Sequence, residues 1–230
     1  MIKIIPSDER HFADHGWLKT YWLFSFDDYY DPKNVSFGKL RVFNDDVVEA
    51  GGGFPMHPHR EMEIVTIPLS GALTHEDSSG GRGVIKTGDV QRMSAGKGIM
   101  HSEFNYGAEP VHLFQIWIRP DKPDLEPSYD QKTYPHGSFK NRLFPVASGQ
   151  GIPDTVTFNT DATIYRSEPD SGKSLLHISG IKRHVYIYLY QGKISVNGKK
   201  LESGDQARIT ETERIEIESI EDSGFILIDV

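Results

Sequence analysis

The stretch EIVTIPLSG, Glu63 to Gly71, decides the fold class. Its apolar residues recur mostly with a period of two and the run ends at a glycine, which is the pattern of a β-strand followed by a turn. Glycine-rich and Asp/Asn/Ser-rich breaks separate such runs at roughly the 8–12-residue spacing of an antiparallel sandwich or barrel. No long amphipathic helix is found, so the sequence predicts an all-β protein. The other runs with this period are Val35 to Phe43, Val111 to Ile118, Val185 to Tyr190, Arg214 to Glu218 and Phe225 to Ile228.

The same stretch recurs in the second half of the chain. HVYIYLYQG, His184 to Gly192, matches it at an offset of 121 residues. A second pair, KTGDVQRM (86–93) and ESGDQARI (202–209), shares Gly-Asp and an arginine three residues later, at an offset of 116. Strand–Gly–Asp turns also arise by chance in β-rich chains, but both pairs occur in the same order with nearly equal offsets. We therefore predict two copies of one β unit.

The boundary between the copies is expected near Tyr134. Six of the 13 prolines lie between Pro120 and Pro153, and such density is typical of a crossing connection instead of a central strand. The prediction is an N-terminal domain of residues 1–134 and a C-terminal domain of residues 135–230.

Composition restricts the function classes. The 230 residues carry a formal net charge of −8 with the positive charges dispersed, so direct binding to nucleic acid is not expected. No apolar run approaches the ~20 residues of a membrane span, and we expect a cytoplasmic monomer. The chain has no cysteine, which leaves histidine and carboxylate side chains to hold any metal.

Four residues form the most informative pattern: His57, His59, His101 and Glu103. Each pair is spaced i, i+2, so on a strand both side chains project from the same face with Cα atoms ~7 Å apart. Two facing strands then supply four ligands to one ion. Three imidazoles and a carboxylate suit Fe(II), Mn(II), Ni(II), Co(II), Cu(II) or Zn(II) better than Mg(II) or Ca(II).

The internal repeat predicts that only the first domain has this site. The four positions correspond in the second half to Ile178, Gly180, Ile217 and Ser219. Two further histidines there, His177 and His184, are therefore interpreted as core or surface residues.

Two motifs resemble those of a known family. Gly51-x5-His57-x-His59-x3-Glu63-x7-Gly71 is followed by Gly88-Asp89-x4-Ser94-x-Gly96-x4-His101-x3-Asn105, and both are similar to cupin motifs. More specifically, FPMHPHREMEIVT (54–66) and GDVQRMSAGKGIMHSE (88–103) resemble the signature of the pirin family. Two features, Ser94 in place of the usual proline and the long gap between Gly96 and His101, depart from the wider cupin pattern. Both are typical of pirins.

The resemblance implies a bicupin fold of two antiparallel jelly-roll β-barrels, the second without a metal. It also implies one mononuclear metal per chain, Fe(II) in the best-known case, held by residues matching His57, His59, His101 and Glu103. Several pirins have a quercetin 2,3-dioxygenase-like activity, in which an aromatic substrate reacts with O2. Other members are described as transcriptional co-regulators, so a metal-bound module that docks on a protein partner is the alternative.

Four further expectations concern the surroundings of the metal. Glu103 is expected to accept the substrate's hydroxyl proton and so to act as the catalytic base. Glu63 shares the strand parity of the histidines, and either ligates the metal or, as we favour, supports the site or pairs with Arg60 or Arg92. Gln115 is a candidate to hydrogen-bond a ligand or bound water. Some of the aromatic residues between Phe12 and Phe43 are expected to form the wall of a flat apolar pocket.

Overall fold

A computed structural model describes residues 1–230, and its regular secondary structure is almost entirely β-strand. One 3-10 turn, Ser7–Glu9, is its only helical element, and no helix has the length and hydropathy that crossing a bilayer requires. The first twelve strands are β1 (Ile2–Ile5), β2 (His11–Asp14), β3 (Leu18–Trp22), β4 (Leu40–Val48), β5 (Gly53–His59), β6 (Glu63–Ser70), β7 (Ala72–Asp77), β8 (Arg82–Lys86), β9 (Asp89–Ser94), β10 (Ile99–Phe104), β11 (Val111–Ile118) and β12 (Ser128–Thr133).

Ten strands follow in the second half. They are β13 (Phe144–Ser148), β14 (Val156–Thr157), β15 (Thr163–Ser167), β16 (Ser174–Ile178), β17 (His184–Gln191), β18 (Lys193–Val196), β19 (Lys199–Glu202), β20 (Gln206–Thr210), β21 (Arg214–Ser219) and β22 (Gly224–Asp229). The predicted all-β class is confirmed. One predicted run was placed too early: the strand expected from Val35 begins at Leu40, because the preceding residues form a loop closed by a bridge between Phe37 and Leu40.

The chain divides into two compact units. The N-terminal unit comprises His11–Pro135 and Thr155–Asp161, and the C-terminal unit comprises Met1–Arg10, His136–Asp154 and Ala162–Val230. This differs from the expected domains of residues 1–134 and 135–230 in two places, because Met1–Arg10 belong to the C-terminal unit and Thr155–Asp161 to the N-terminal unit. Strand β1 pairs antiparallel with β20, from Ile2 opposite Ile209 to Ile5 opposite Gln206, and this pairing places the first ten residues in the C-terminal unit.

Each unit has the two-sheet architecture of a jelly roll. The N-terminal unit has a sheet in the order β12-β9-β6-β11-β4-β3-β2 and a second one in the order β5-β10-β7-β8. The C-terminal unit repeats the smaller sheet as β16-β21-β18-β19, opposite a larger sheet with the order β1-β20-β17-β22-β15-β13. The predicted repetition of one β unit is therefore present at the level of strand order.

The repeated Gly-Asp turn has the same local structure in both units. Asp89 accepts a hydrogen bond from the Lys86 amide at 3.0 Å, and Asp205 accepts one from the Glu202 amide at 2.8 Å. The glycine before each aspartate has φ near +90°, a conformation that glycine adopts without steric cost. The sequence match thus reflects one turn used twice.

Candidate metal centre

Three histidines predicted as ligands converge on one point. Strands β5 and β10 are neighbours, with His57 directly opposite His101. The Nε2 atom of His57 lies 2.9 Å from Nε2 of His59 and 3.0 Å from Nε2 of His101. Two nitrogens bound at right angles to one ion with ~2.1 Å bonds are about 3.0 Å apart. The three imidazoles therefore already have the spacing of adjacent ligands.

A β-bulge fixes the ring of His57. Between His101 and Glu103 the register with β5 shifts, so one additional residue of β5 is accommodated next to Pro55. Proline has no amide hydrogen to donate, and an irregular position of a strand tolerates this loss. The Pro55 carbonyl lies 2.8 Å from Nδ1 of His57. Nδ1–H donates to this carbonyl, which leaves the Nε2 lone pair free for a metal.

The ring of His101 is oriented by two residues that the sequence analysis did not identify, His75 and Asp77. Nδ1 of His101 lies 3.3 Å from Nδ1 of His75, and Nε2 of His75 lies 3.0 Å from a carboxylate oxygen of Asp77. Burial alone would raise the pKa of Asp77, but hydrogen bonds from Ser79 and His75 lower it, so this carboxylate is ionised. His75 then donates to Asp77 and accepts from His101, whose Nε2 stays available.

Glu103 lies beside this group and has one unused oxygen. Its Oε2 accepts a 2.7 Å hydrogen bond from the amide of Gln115, whose own oxygen accepts one from the Trp117 indole at 3.0 Å. Its Oε1 is buried and has no hydrogen-bond partner. Burial raises the pKa of Glu103 to about 7, although the Gln115 hydrogen bond acts in the opposite direction. An unpaired buried carboxylate oxygen is the feature that a bound cation would satisfy.

These residues fit a divalent transition metal. Burial, followed by the electrostatic effect of the neighbouring His57 ring, lowers the pKa of His59 to about 4 and that of His101 to about 2, so both rings are neutral at physiological pH. Neutral imidazoles are the form that binds metals. The potential ligand atoms of His57, His59 and His101 all lie within 4.8 Å of one another. Those of Glu103, His75 and His101 form a second group with the same limit. The geometry gathers three of the predicted ligands directly and places the fourth next to them.

Glu63 is engaged elsewhere. One of its carboxylate oxygens accepts from Ser94 at 2.6 Å, and the other accepts from Asn159 at 3.1 Å. Arg92 donates to the same Ser94 hydroxyl at 3.1 Å. Glu63 therefore belongs to a polar network of β6 and β9 and makes no ion pair with Arg60 or Arg92, while a supporting role at the metal site stays a prediction.

An aromatic cavity adjoins the centre. It has a volume of about 190 Å³, and Gln115 and Phe54 connect it to the histidines. Gln115 holds Glu103, and the ring of Phe54 lies 6.3 Å from that of His57. Trp17, Trp22 and Phe26 contribute further aromatic lining. These three residues fall in the segment in which the sequence analysis expected a pocket wall.

Family models match both halves of the chain. A model described as pirin matches residues 6–118, and one described as the quercetinase C-terminal cupin domain matches residues 145–230. The two matches lie on either side of Tyr134, where the sequence analysis expected the boundary between two related units.

Full-length relatives agree with these matches. The chain is 40% identical over 230 residues to a pirin-like protein of Caulobacter vibrioides, covering 100% of this chain and 99% of that protein. It is 37% identical over 231 residues to a quercetin 2,3-dioxygenase of Escherichia coli, covering 100% and 99%. The crystal structure of the bacterial pirin YhhW of E. coli in complex with nickel(II) matches with a TM-score of 0.93 and 37% identity, over 100% of this chain and 99% of that one. The chain belongs to the pirin family.

Proposed function

We propose that this pirin is a metal-dependent dioxygenase that cleaves quercetin or a related enol-bearing aromatic with O2. The observation that carries the proposal is the convergence of three imidazole nitrogens, with Nε2 of His57 2.9 Å from that of His59 and 3.0 Å from that of His101, beside a buried carboxylate oxygen without a partner. His57, His59, His101 and Glu103 are the proposed ligands. Because four protein ligands leave two positions of an octahedral ion open, substrate and O2 would both have access.

Fe(II) is the metal we propose, and the donor set also accepts Mn, Ni, Co, Cu or Zn. When bound, the ion supplies Lewis acidity toward the enolate oxygen of the substrate and redox chemistry toward O2.

Glu103 is the proposed base. As one of the proposed ligands, Glu103 would accept the enol proton by loosening from the metal, and burial, which raises the pKa of its carboxyl to about 7 in the metal-free protein, favours uptake of that proton. Gln115 holds the other carboxylate oxygen, and the Trp117 indole fixes which way the Gln115 amide points. This chain of hydrogen bonds keeps the carboxylate in one orientation while its proton occupancy changes.

The test combines metal analysis with turnover. Protein expressed in defined medium is analysed for metal, loaded with Fe(II), and assayed for O2 uptake and CO release on a panel of flavonols. We expect one metal per chain and turnover that the metal-free His101→Ala variant lacks. Absence of turnover in the metal-loaded parent across the panel would contradict the proposal.

A surface feature favours the second candidate, a module that docks on a protein partner. Met56 and Met100, on the neighbouring strands β5 and β10, are 52% and 38% exposed and define a small apolar patch. Met56 and Met100 each precede a proposed ligand in sequence, so on their strands they face away from the metal. Partner binding at this apolar patch would track metal occupancy and would be lost in Met56→Glu/Met100→Glu protein, whereas flavonol turnover would be retained.

A further inference from the structure

The cavity beside the metal centre has a polar side that the proposed mechanism does not use. Among its lining residues are Asn44 and Asp46 of β4, which are only 3% and 1% exposed. They are spaced i, i+2 and therefore project from the same face of the strand. Asp45 lies between them, faces the other way and holds His112 at 2.6 Å.

Both side chains present unsatisfied acceptors. Asn44 Oδ1 and Asp46 Oδ1 are buried and have no hydrogen-bond partner. The Thr20 hydroxyl, directly opposite Asp46 on the neighbouring strand, is near enough to lower the pKa of Asp46 but lies outside ordinary hydrogen-bond geometry. Buried polar atoms are nearly always hydrogen-bonded, and those left unpaired in a binding cavity indicate what a ligand supplies. Here the missing partners are hydrogen-bond donors.

The walls define the rest of the ligand. Trp17 and Phe54 pack edge to face with their ring centroids 4.9 Å apart, and Trp22 and Phe26 do so at 5.6 Å. Such surfaces select a flat apolar body. The volume of about 190 Å³ is below the roughly 300–1,000 Å³ of pockets that enclose a whole drug-sized ligand, so it suits one ring of a larger molecule.

We propose that Asp46, together with Asn44, forms a subsite that recognises the hydroxyl groups of a catechol ring and so determines which aromatic substrates are bound. The inference rests on the proposed function, because it takes the catechol to be the pendant ring of a flavonol whose enol group lies at Glu103. Burial raises the pKa of Asp46 to about 7, partly offset by Thr20, and a donated hydrogen bond stabilises its ionised form.

Binding is measured without turnover. Metal-loaded protein under nitrogen is titrated with quercetin and with galangin, a flavonol that lacks the hydroxyls of the pendant ring. The readout is quenching of tryptophan fluorescence, corrected for flavonol absorbance. The three tryptophans of the chain are well placed for it, since Trp17 and Trp22 line the cavity and the Trp117 ring lies 4.7 Å from that of His59.

Asp46→Leu removes both acceptors, and because leucine is also larger than aspartate, galangin, which occupies the same space, controls for the added bulk. We expect the substitution to weaken quercetin binding roughly 10-fold or more and to change galangin binding less than about twofold, as expected for loss of a hydrogen bond to a charged group. Asp46→Asn keeps one acceptor and the shape of the side chain, so it should lose less of the preference for quercetin over galangin. This variant also covers the case in which the leucine variant does not fold. Asp45→Asn is the matched control on the same strand and should retain the parent's preference for quercetin.

The outcomes separate this inference from the proposed function. If the Asp46 variants weaken both flavonols equally or neither of them, the subsite is wrong even where the parent turns over quercetin. If the preference for quercetin disappears while no flavonol is turned over, the subsite stands and the proposed dioxygenase activity fails. A parent protein that does not bind quercetin more tightly than galangin would also overturn the inference.

Discussion

Strands β10 and β21 occupy the same place in the two repeated units but have interiors of opposite chemistry. Each is second in its four-stranded sheet. The buried positions of β10 include His101 and Glu103, whereas those of β21 include Ile215 and Ile217. One scaffold therefore encloses a polar centre in the first unit and an apolar core in the second.

The consequences extend beyond these strands. In the C-terminal unit Ile215 and Ile217 belong to a continuous cluster of 12 buried apolar residues. The N-terminal unit keeps polar atoms such as Glu103 Oε1 buried without a partner next to its histidine cluster, each costing about 1–3 kcal/mol. A ligand that binds only the folded state stabilises it. We infer that a bound metal contributes to the stability of the N-terminal unit and that the C-terminal unit is stable without one.

The largest expected effect is on metal content. His101→Ala removes a proposed ligand, and metal affinity should fall by more than the roughly 10–100-fold that loss of an outer hydrogen-bond partner causes. His184→Ala, in the C-terminal unit, is the control and should retain its metal. Elemental analysis after dialysis measures both. Equal losses in the two variants would mean that the ligand assignment and the contrast between the units are both wrong.

Glu103→Gln tests whether Glu103 acts as the catalytic base, separately from its role as a metal ligand. The amide keeps the shape and an oxygen for the metal but cannot accept a proton at neutral pH. Flavonol turnover should drop about 10²–10⁴-fold while a substantial share of metal is retained. Glu63→Gln, a buried carboxylate of the same unit held by Ser94 and Asn159, is the control and should change turnover far less. Unchanged turnover in metal-loaded Glu103→Gln would remove Glu103 from the mechanism.

A complementary experiment concerns the apolar core of the C-terminal unit. Ile217→Ala removes a side chain that is 1% exposed within the large cluster and should destabilise the C-terminal unit by about 2–5 kcal/mol. Metal content should stay the same as in the parent. Urea unfolding, followed together with elemental analysis, checks both expectations. Metal loss in this variant under native conditions would show that the two units are not independent in this respect.

Strand parity explains why the histidine cluster could be predicted from sequence. His57 and His59, and likewise His101 and Glu103, are neighbours in the chain, so their spacing alone places each pair on one face. What joins the pairs is the register of β5 against β10, and the two turn motifs made that pairing expected.

The remaining parts of the site depend on contacts between strands distant in sequence. His75 lies directly opposite Glu103 only because β7 pairs with β10, and Gln115 reaches Glu103 from the other sheet. Likewise, four residues of β1 carry no signal that could identify a partner strand about 200 residues away. Such contacts come from tertiary pairing, which local periodicity does not encode.

His75 should affect the metal indirectly. His75→Phe fills the space but cannot accept from His101, so metal affinity should fall roughly 10–100-fold. His75→Gln again offers an acceptor to His101 and should recover part of the lost metal affinity. His112→Gln, which disrupts another histidine–carboxylate pair in the same unit, should leave affinity unchanged. Calorimetric titration with Ni(II) or Zn(II) gives the ranking, and equal affinity in His75→Phe and the parent would contradict an orienting role.

The smallest effect expected is on the pH dependence of metal affinity, and its origin is not a histidine with the ordinary pKa of ~6.5. The pKa values of His59 and His101, lowered by burial to about 4 and about 2, keep these rings unprotonated throughout the pH range 5–7. Glu103 has the opposite shift: burial raises its pKa to about 7, so below that pH its carboxyl is protonated in the metal-free protein and must lose the proton when the metal binds. Affinity should therefore fall as pH decreases below 7, by up to about tenfold per pH unit for one proton released. Titrations in two buffers of different ionisation enthalpy count that proton. Glu103→Gln should lower the count by one and flatten the slope, whereas an unchanged slope would assign the proton to an imidazole.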